Sequence, residues 1–374
     1  MICKGGVCCK SMGLRERSSE LYYVNENIKN FSRIYDQDNR SGFLRLDLNE
    51  NPGGLPEEFV RRVLASVKPD FIAQYPETLE FKRVLAKFLG CSTENLCLVN
   101  GSSEGIRHII ETFTSPDGKI LGVVPTFAMF NVFAKMYGRK FVSVDYEPDL
   151  TLDTEKFLNA MTPDIQLAVV LNPNNPVGNV FSENDMQRIL TKAAENEITL
   201  LIDEAYIYFY ENEFKKYALE NEHVFVTRTF SKLFSMAGCR FGYVLGQPDG
   251  IAVLQKMCTP HNVNAFAMKL AREVIETEGM IDKLISQFRA GKEFLLDSLK
   301  KNGYEFHAGE GNFIFIKPFT DAEILMNRLR NERNILVKTY DVSGKFGKCL
   351  RVTTGGREFM STFMKALTEL DRQG

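Results

Sequence analysis

Short apolar segments alternate with helical segments through the middle of this chain. Strands that are apolar along their whole length are buried on both faces, and helices between consecutive strands allow those strands to run parallel. The sequence therefore predicts an α/β protein whose large domain holds a mainly parallel seven-stranded sheet between helices. The seven predicted strands lie near residues 95–100, 119–124, 140–146, 165–172, 198–203, 223–229 and 242–246.

The pattern changes near both ends of the chain, which indicates three parts. Residues 1–40 are polar and irregular, and we interpret them as an N-terminal arm. Residues 41–255 contain the alternating pattern and form the predicted large domain. Beyond them, a long helical region over 263–302 precedes further strands and helices. Residues 256–374 are therefore predicted to form a smaller α+β domain, completed by part of the N-terminal segment.

The composition disfavours two kinds of partner. The 374 residues carry a formal net charge of -2 with scattered lysines and arginines, so no basic surface for nucleic acid is expected. No apolar run approaches the roughly 18 residues of a membrane span, and the N-terminus lacks the apolar core of a secretory signal. These features predict no membrane association and a cytoplasmic location.

The eight cysteines show neither paired spacing nor histidines at zinc-ligand spacing. We interpret them as reduced thiols and predict no metal site. A cluster of three, Cys3, Cys8 and Cys9, could bind a metal, but it lies in a short polar tail that is expected to fray.

One lysine stands in an unusual place. Residues 224–246 are mostly apolar or small on both sides of Lys232, with Arg228 and Arg240 near it. A buried ammonium loses several kcal/mol of hydration unless something compensates it, so lysine is a poor structural residue there. Lys232 is therefore either exposed or functional, whereas the purpose of Arg228 stays open.

Four of the predicted strands end in loops rich in polar residues. Because ligands bind beyond the carboxyl ends of the strands in an open α/β sheet, these loops would share one edge. The loop 101–105 (GSSEG) offers N–H groups and hydroxyls to a phosphate, although an ordinary helix cap would also explain it. Residues 172–178 (NPNNPVG) present three asparagines, although a structural turn would also explain them. Asp203 places a carboxylate after an apolar strand, although a cap of the next helix would also explain it. Lys232 completes the set.

A single ligand would use all four loops. Lysine forms a Schiff base with an aldehyde once desolvation and nearby cations such as Arg240 lower the pKa of its amine. A carbonyl cofactor with a phosphate and a protonatable ring nitrogen would place the phosphate at 101–105 and Arg240. Its ring nitrogen would then lie at Asp203 and its aldehyde at Lys232. Pyridoxal 5'-phosphate has these groups.

Several motifs follow one another in a familiar order, from about residue 26 onward. They are LDLNENPGGLP (46–56), QYPE (74–77), GSSEG, PTFAMF (125–130), NPNNPVG, IDEAYIYF (202–209), RTFSKLFSMAGCRFGY (228–243), GNFIFIK (311–317) and CLRVTTG (349–355). The set resembles the fold type I pyridoxal-phosphate enzymes of the aspartate aminotransferase superfamily (class I/II). It is most similar to the histidinol-phosphate aminotransferase subgroup. The resemblance implies the PLP-dependent transferase fold type I, with residues 41–255 as the cofactor-binding domain.

The resemblance also implies roles for residues around the cofactor ring. Lys232 would be the Schiff-base lysine and would carry the proton between the substrate Cα and the cofactor. Asp203 would pair with the ring nitrogen and keep it protonated. Tyr206 and Asn175 would hydrogen-bond the ring hydroxyl, and Phe127 would stack on the ring face.

The cofactor phosphate has its own implied set of residues. Tyr75 would reach it from the other subunit, because active sites in this family lie at a homodimer interface. The residues of the same chain that would hold the phosphate are Ser102, Ser103, Thr229, Arg240 and, less centrally, Ser231.

The substrate side departs from the subgroup at one position. Arg351 would take an anionic group, Asn312 would line the substrate pocket, and Tyr35 lies near where the family places a tyrosine at the substrate. The subgroup usually has a second arginine thirteen residues before the position of Arg351, and this chain has Lys338 there. A lysine neutralises a phosphate as a point charge rather than as a bidentate fork.

The predicted function is that of a PLP-dependent aminotransferase acting on a small, phosphorylated substrate. Histidinol phosphate and a similar amine or ketone such as dihydroxyacetone phosphate fit this prediction, with glutamate or 2-oxoglutarate as amino donor or acceptor. The alternative is PLP-dependent decarboxylation of a phosphorylated amino acid such as phosphoserine or phosphothreonine. A non-catalytic homologue is disfavoured because every cofactor position is present.

Overall fold

The computed structural model describes residues 22–29, 39–342 and 346–371. These residues form thirteen β-strands: β1 (Leu44–Arg45), β2 (Leu96–Val99), β3 (Lys119–Val124), β4 (Lys140–Asp145), β5 (Ile165–Leu171), β6 (Thr199–Asp203), β7 (Val224–Thr229), β8 (Gly242–Leu245), β9 (Glu305–His307), β10 (Phe313–Lys317), β11 (Ile335–Leu336), β12 (Lys338–Val342) and β13 (Gly347–Thr353). They also form fourteen α-helices: α1 (Glu26–Lys29), α2 (Glu57–Ala65), α3 (Pro69–Ala73), α4 (Thr78–Leu89), α5 (Ser102–Phe113), α6 (Met129–Met136), α7 (Thr154–Ala160), α8 (Glu183–Glu195), α9 (Lys215–Glu220), α10 (Pro248–Gln255), α11 (Ala265–Glu276), α12 (Met280–Lys301), α13 (Ala322–Arg333) and α14 (Arg357–Asp371). No helix in the described part of the chain has the length and apolar character needed to cross a membrane.

Seven strands form one large sheet in the order β2-β8-β7-β6-β5-β3-β4. The neighbouring strands from β4 to β7 pair in parallel, whereas β8 pairs antiparallel with both β7 and β2. The predicted mainly parallel seven-stranded sheet is confirmed, and each predicted apolar run supplies one of its strands. Because β2 and β7 both run antiparallel to β8, β2 points in the same direction as the parallel strands.

Both faces of this sheet are buried under helices. Successive residues of β5 alternate between two apolar clusters, with Leu167, Val169 and Leu171 in one and Ala168 and Val170 in the other. Helices α5 and α6 contribute to the first cluster, and α4 and α8 contribute to the second. This two-sided burial explains why the inner strands β5 and β6 are apolar along almost their whole length.

A smaller antiparallel sheet has the order β12-β13-β10-β9, and apolar residues of α12, α13 and α14 pack with it. The N-terminal segment joins this part, since β1 pairs in parallel with β11 and Leu44 lies opposite Ile335. The helical region predicted over 263–302 is two helices, α11 and α12, because Gly279 before α12 has a left-handed φ of 68°. The division of the chain at residues 40 and 255 stays a prediction.

The backbone of the loop after β5 contacts the backbone of the loop between β9 and β10. The N–H of Glu310 donates to the carbonyl oxygen of Gly178 at 2.7 Å, and His307 Nε2 lies 3.0 Å from the carbonyl oxygen of Val177. Gly178 has a φ of +86°, and a Cβ there would lie 2.7 Å from the carbonyl oxygen of Glu310. A glycine is required for this approach, which fixes the loop after β5 beside the segment that leads to Asn312.

Replacing Gly178 with alanine is expected to destabilise the protein more than the same change at Gly303. Both glycines have positive φ, of 86° and 75°, so both substitutions incur a backbone strain of about 1–2 kcal/mol. A Cβ at Gly303 meets nothing within 4 Å, whereas one at Gly178 overlaps the backbone of Glu310. We expect the free energy of unfolding in urea to fall by about 1–3 kcal/mol more for Gly178→Ala. Equal losses would show that this loop contact does not contribute to stability.

Candidate active site

The carboxyl ends of β2, β5, β6 and β7 lie along one edge of the large sheet, as their common direction requires. The predicted polar loops therefore collect at one place. Ser102 begins α5 after β2, Asn175 follows β5, Asp203 ends β6 and Lys232 follows β7.

The start of α5 and the segment after β7 meet in a cradle of hydroxyls, backbone N–H groups and a guanidinium. Gly101 has a φ of +77°, and a Cβ there would lie 2.7 Å from the Arg240 guanidinium. The Ser231 hydroxyl lies 2.9 Å from that of Thr229 and 3.4 Å from Arg240 Nη1. The first N–H groups of a helix have no partner within the helix, so they point toward the same space. The serines of this first turn are Ser102 and Ser103.

Asp203 is buried at the end of β6. Its Oδ1 accepts hydrogen bonds from the Thr227 hydroxyl at 3.0 Å and from the Ala205 N–H at 3.2 Å. Burial nevertheless raises the pKa of Asp203 to about 7. A cation beside this carboxyl, such as a protonated ring nitrogen, would favour its ionised form. Sequence reasoning missed Thr227, because its place opposite Asp203 follows from the register of β6 and β7.

Lys232 lies beside the ring of Tyr206, with Nζ 5.6 Å from the ring centroid, and donates to the carbonyl oxygen of Leu48 at 3.1 Å. Burial is the main reason that the pKa of Lys232 falls to about 8. The positive charges of Arg351 and, less strongly, Arg240 act in the same direction. Part of the amine is therefore neutral near physiological pH, as attack on an aldehyde requires.

Asn49 links several predicted site residues and was itself missed. Its Nδ2 donates to Tyr206 Oη at 2.8 Å and contacts Asn175 Oδ1 at 3.4 Å. Its carbonyl oxygen accepts from Asn312 Nδ2 at 3.1 Å. Asn49 is buried and has a left-handed φ of 58°, a conformation that asparagine tolerates better than most residues. The motif LDLNEN contains Asn49, but nothing in the local sequence pointed to a role for this residue.

Arg351 is buried at the centre of β13. Its Nη1 donates to Asn175 Oδ1 at 2.9 Å and to Tyr340 Oη at 3.2 Å, and its Nη2 donates to the carbonyl oxygen of Asp47. Its Nε has no hydrogen-bond partner among the described residues. Lys338 lies directly opposite Arg351 in the register of β12 and β13. Arg351, which contacts Asn175, and Lys338 therefore share one face of the small sheet.

Arg228, whose purpose the sequence left open, pairs with two carboxylates behind the site. Its Nε donates to Glu204 Oε2 at 2.7 Å, and its Nη2 donates to Glu213 Oε2 at 2.9 Å. Arg228 and Glu204 are both buried, and Glu204 follows Asp203 directly. The pair joins the segment after β6 to β7. Separating the two residues would leave a buried charge unpaired, so the pair stabilises this arrangement.

The remaining predicted residues stand at the margins of this arrangement. Tyr75 is 78% exposed, and its ring stacks on His261 with centroids 4.7 Å apart. Phe127 packs edge-on against Phe130 at 5.8 Å. No group of three His, Cys, Asp or Glu within the described ranges could hold a metal ion. Tyr35 lies outside the described residues, as do Cys3, Cys8 and Cys9.

A cavity of about 400 Å³ opens beside the lysine. Lys232 and Asn312 belong to its wall, together with Asn51 from the N-terminal segment, Phe288 from α12 and Gly355 after β13. The wall therefore combines residues of the large sheet, the small sheet and the N-terminal segment. Such a volume accommodates a small ligand.

The chain matches the family model for class I and II aminotransferases over residues 41–367. The histidinol-phosphate aminotransferase of Caldanaerobacter subterraneus subsp. tengcongensis is 31% identical over 352 residues, which cover 93% of this chain and 98% of that one. Among solved structures, histidinol-phosphate aminotransferase from Clostridium acetobutylicum superposes with a TM-score of 0.79 at 23% identity, covering 88% of this chain and 100% of that one. The Sinorhizobium meliloti histidinol-phosphate aminotransferase in complex with pyridoxal-5'-phosphate gives a TM-score of 0.79 at 20% identity, covering 88% and 90%.

This chain belongs to the class I and II aminotransferase family. The match confirms the predicted enzyme class, a PLP-dependent aminotransferase similar to the histidinol-phosphate subgroup. The solved structures confirm the predicted fold. The roles of the individual site residues stay predictions.

The lowered pKa of Lys232 predicts a pH-dependent difference in stability between the cofactor-free protein and its Lys232→Met variant. Below about pH 8 the amine is protonated in both folded and unfolded chains, so the folded state bears the full cost of burying the charge. Above the unfolded pKa of 10.5 the amine is neutral in both, and this cost is absent. The wild type should therefore gain up to about 3 kcal/mol relative to Lys232→Met as pH rises through this window. Urea unfolding of both proteins measures the gain; a difference independent of pH would contradict the lowered pKa.

Proposed function

We propose that this aminotransferase uses pyridoxal 5'-phosphate at Lys232 to transfer an amino group to or from a small phosphorylated substrate, with histidinol phosphate as the first candidate. The observation that carries the proposal is the position of Lys338 directly opposite buried Arg351. Residues directly opposite each other on an antiparallel pair of strands place their side chains on the same face of the sheet, with Cβ atoms about 5 Å apart. Two cations side by side suit a phosphate dianion, and the names of the relatives support the same substrate class.

The residues at the edge of the sheet fit the cofactor. The cradle at Gly101 combines a helix N-terminus, hydroxyls and a guanidinium, which suits a phosphate, and the buried carboxyl of Asp203 suits a protonated ring nitrogen. When bound, the cofactor supplies an aldehyde for the lysine and a ring that withdraws electrons. The residues proposed to hold its phosphate are Ser102, Ser103, Thr229, Ser231 and Arg240. Those proposed to hold its ring are Phe127, Asn175, Asp203 and Tyr206, with Asn49 supporting Tyr206.

The chain's own residues divide the remaining work. Lys232, the Schiff-base lysine of this proposal, has an amine with a pKa near 8, so it can accept a proton from the substrate Cα and return it nearby. Burial raises the pKa of Tyr206 to about 12, so its hydroxyl keeps its proton and remains a hydrogen-bond donor. Asn175 accepts from Arg351, which couples the cofactor side of the pocket to the substrate side. Asn312 lines the same cavity.

The amino donor or acceptor is proposed to be glutamate or 2-oxoglutarate. Each carries two carboxylates, and Arg351 would bind one of them in the place where the substrate phosphate binds. Dihydroxyacetone phosphate would also fit the charges of Arg351 and Lys338, so an assay must distinguish it from histidinol phosphate. A cytoplasmic location belongs to the same proposal, and the five described free cysteines support it, since thiols stay reduced in the cytosol.

A homodimer with shared active sites also belongs to the proposal. Large apolar side chains are exposed around Tyr75 on α3, α4 and α11, and α11 contacts both α3, through Phe71 and Phe266, and α4. Contiguous apolar patches on a surface mark interaction sites. A second copy seated there would cover the patch and would bring Tyr75 to the partner's cofactor phosphate. The patch comprises Ile72 (67% exposed), Tyr75 (78%), Leu79 (52%) and Phe266 (37%).

The substrate assignment predicts the outcome of one assay with the cofactor-loaded enzyme. Histidinol phosphate, serinol phosphate, dihydroxyacetone phosphate with glutamate, phosphoserine and phosphothreonine are supplied in turn. The absorbance of the bound cofactor and the release of carbon dioxide are followed together. We expect histidinol phosphate to convert the cofactor to its amine form without gas release. Gas release with the original spectrum restored would identify a decarboxylase, and no spectral change with any compound would refute the phosphorylated substrate.

The variant Lys338→Met tests whether Lys338 contributes to binding of the substrate phosphate. Loss of one charged contact worth about 1.5 kcal/mol should raise KM for the phosphorylated substrate about tenfold, with a smaller effect on KM for 2-oxoglutarate. Lys348→Met is the control, because Lys348 lies on the neighbouring strand β13 but is exposed and pairs with Glu323. Equal KM values for the two variants would contradict a role of Lys338 at the phosphate.

The proposed dimer predicts different effects of two exposed isoleucines. Ile72→Glu places a charge inside the apolar patch, whereas Ile324→Glu places one on α13 at a similar exposure of 60%. We expect sedimentation to show monomers for Ile72→Glu and dimers for Ile324→Glu, with activity lost only in the first. A monomeric wild type, or a dimer that survives Ile72→Glu, would contradict this interface.

A further inference from the structure

Two cysteines outside the proposed chemistry lie in sulfur contact beside β2. Cys97 is within β2 and is 1% exposed, and Cys258 follows α10 and is partly exposed. Their Sγ atoms are 3.6 Å apart although 161 residues separate them along the chain. A disulfide requires about 2.05 Å between the sulfurs, so an approach of about 1.5 Å would join them.

Hydrogen bonds on both sides of the pair hold the two segments together. Gln255 Nε2 donates to the carbonyl oxygen of Leu96 at 3.1 Å, before the cysteines. After them, Asn262 Nδ2 donates to the carbonyl oxygen of Leu98 at 2.9 Å, and Asn100 Nδ2 donates to that of Asn262 at 2.8 Å. The contact between the sulfurs is therefore imposed by the fold.

The surroundings make the two thiols unequal. The contact with Cys97 and the nearby His108 of α5 lower the pKa of Cys258, whereas the contact with Cys258 and burial raise the pKa of Cys97. Lys82 places a positive charge nearby and Glu104 a negative one. Because the thiolate is the reactive form, the more exposed Cys258 is suited to attack an oxidant, and buried Cys97 is suited to resolve the product.

We propose that Cys97 and Cys258 form a reversible oxidation site whose oxidant is hydrogen peroxide or another hydroperoxide. The Cys258 thiolate attacks a peroxide oxygen, the O–O bond breaks, and the departing oxygen leaves as water or an alcohol after taking a proton. This step converts Cys258 to a sulfenic acid. The Cys97 sulfur then attacks the Cys258 sulfur, the S–O bond breaks, and the oxygen leaves as water with the Cys97 proton. The peroxide gains two electrons, and the two thiols lose two in forming the disulfide.

The site differs from a structural disulfide in its expected behaviour. A disulfide in a reducing compartment is transient, so the dithiol is the resting form and the disulfide follows exposure to oxidant. The cross-link would join β2, three residues before Asn100, to the segment after α10. It would therefore form close to the loop that carries Gly101 while involving neither Lys232 nor Asp203.

The test is peroxide treatment of the cofactor-loaded wild type followed by peptide mass spectrometry without reductant. We expect one cross-linked species that contains Cys97 and Cys258, lighter by two hydrogens than the separate peptides and reversed by dithiothreitol. Absence of this species while other cysteines oxidise, or its formation between other pairs, would overturn the proposal.

Two further measurements examine Cys258 as the attacking thiolate without relying on formation of the cross-link. In Cys97→Ser the resolving thiol is missing, so dimedone should label Cys258 as a sulfenic acid, whereas Cys239→Ser should still form the cross-link. Iodoacetamide at mildly acidic pH should alkylate Cys258 of the untreated enzyme about ten times faster than Cys239, which is also partly exposed. An unlabelled Cys258, or equal alkylation rates, would show that Cys258 is not the attacking thiolate.

Discussion

The desolvation of the Lys232 ammonium is the constraint on which the rest of the site depends. The amine lies against the Tyr206 ring and donates to a backbone carbonyl, while the charge of Arg351 opposes its protonation. Burial and a like charge both favour the neutral amine, which is the form that reacts with an aldehyde. A carboxylate in direct contact would have cancelled this effect. The fold instead keeps Asp203 at the end of β6, where it is buried and accepts two hydrogen bonds.

A network of amide side chains links the surroundings of Lys232 to Arg351. Asn49, Asn175 and Asn312 come from three separate parts of the chain, and together they join Tyr206 to Arg351 through hydrogen bonds. Buried polar groups need partners, so these contacts restrict how the two sheets can sit relative to each other. The backbone contact at Gly178 fixes the same relation a short distance away. The positions of Tyr206 and of Arg351 are therefore set together.

The positively charged side chains near the site differ in whether carboxylates compensate their charge. Arg228 and Glu204 are buried, and Arg228 also pairs with the more exposed Glu213, so its charge is compensated and it serves the fold. Arg351 bonds neutral oxygens of Asn175, Tyr340 and Asp47, and these contacts leave its positive charge uncompensated. Lys338 adds a second positive charge on the neighbouring strand. Among the described residues, Arg228 thus has carboxylate partners within salt-bridge distance and Arg351 has none, although the two arginines look alike in sequence.

The sequence by itself determined the seven strands, their mainly parallel arrangement and the residues at their carboxyl ends, because these follow from local apolar periodicity and from the direction of parallel strands. It also determined Lys232 and Asp203 as site candidates, since charged groups in apolar surroundings require an explanation. Tertiary structure alone decided the roles of Asn49 and Thr227, the compensation of Arg228 and the contact between Cys97 and Cys258. Each of these depends on strand register or on contacts between distant segments. Local sequence does not encode such distances, because they arise only when the segments pack against one another.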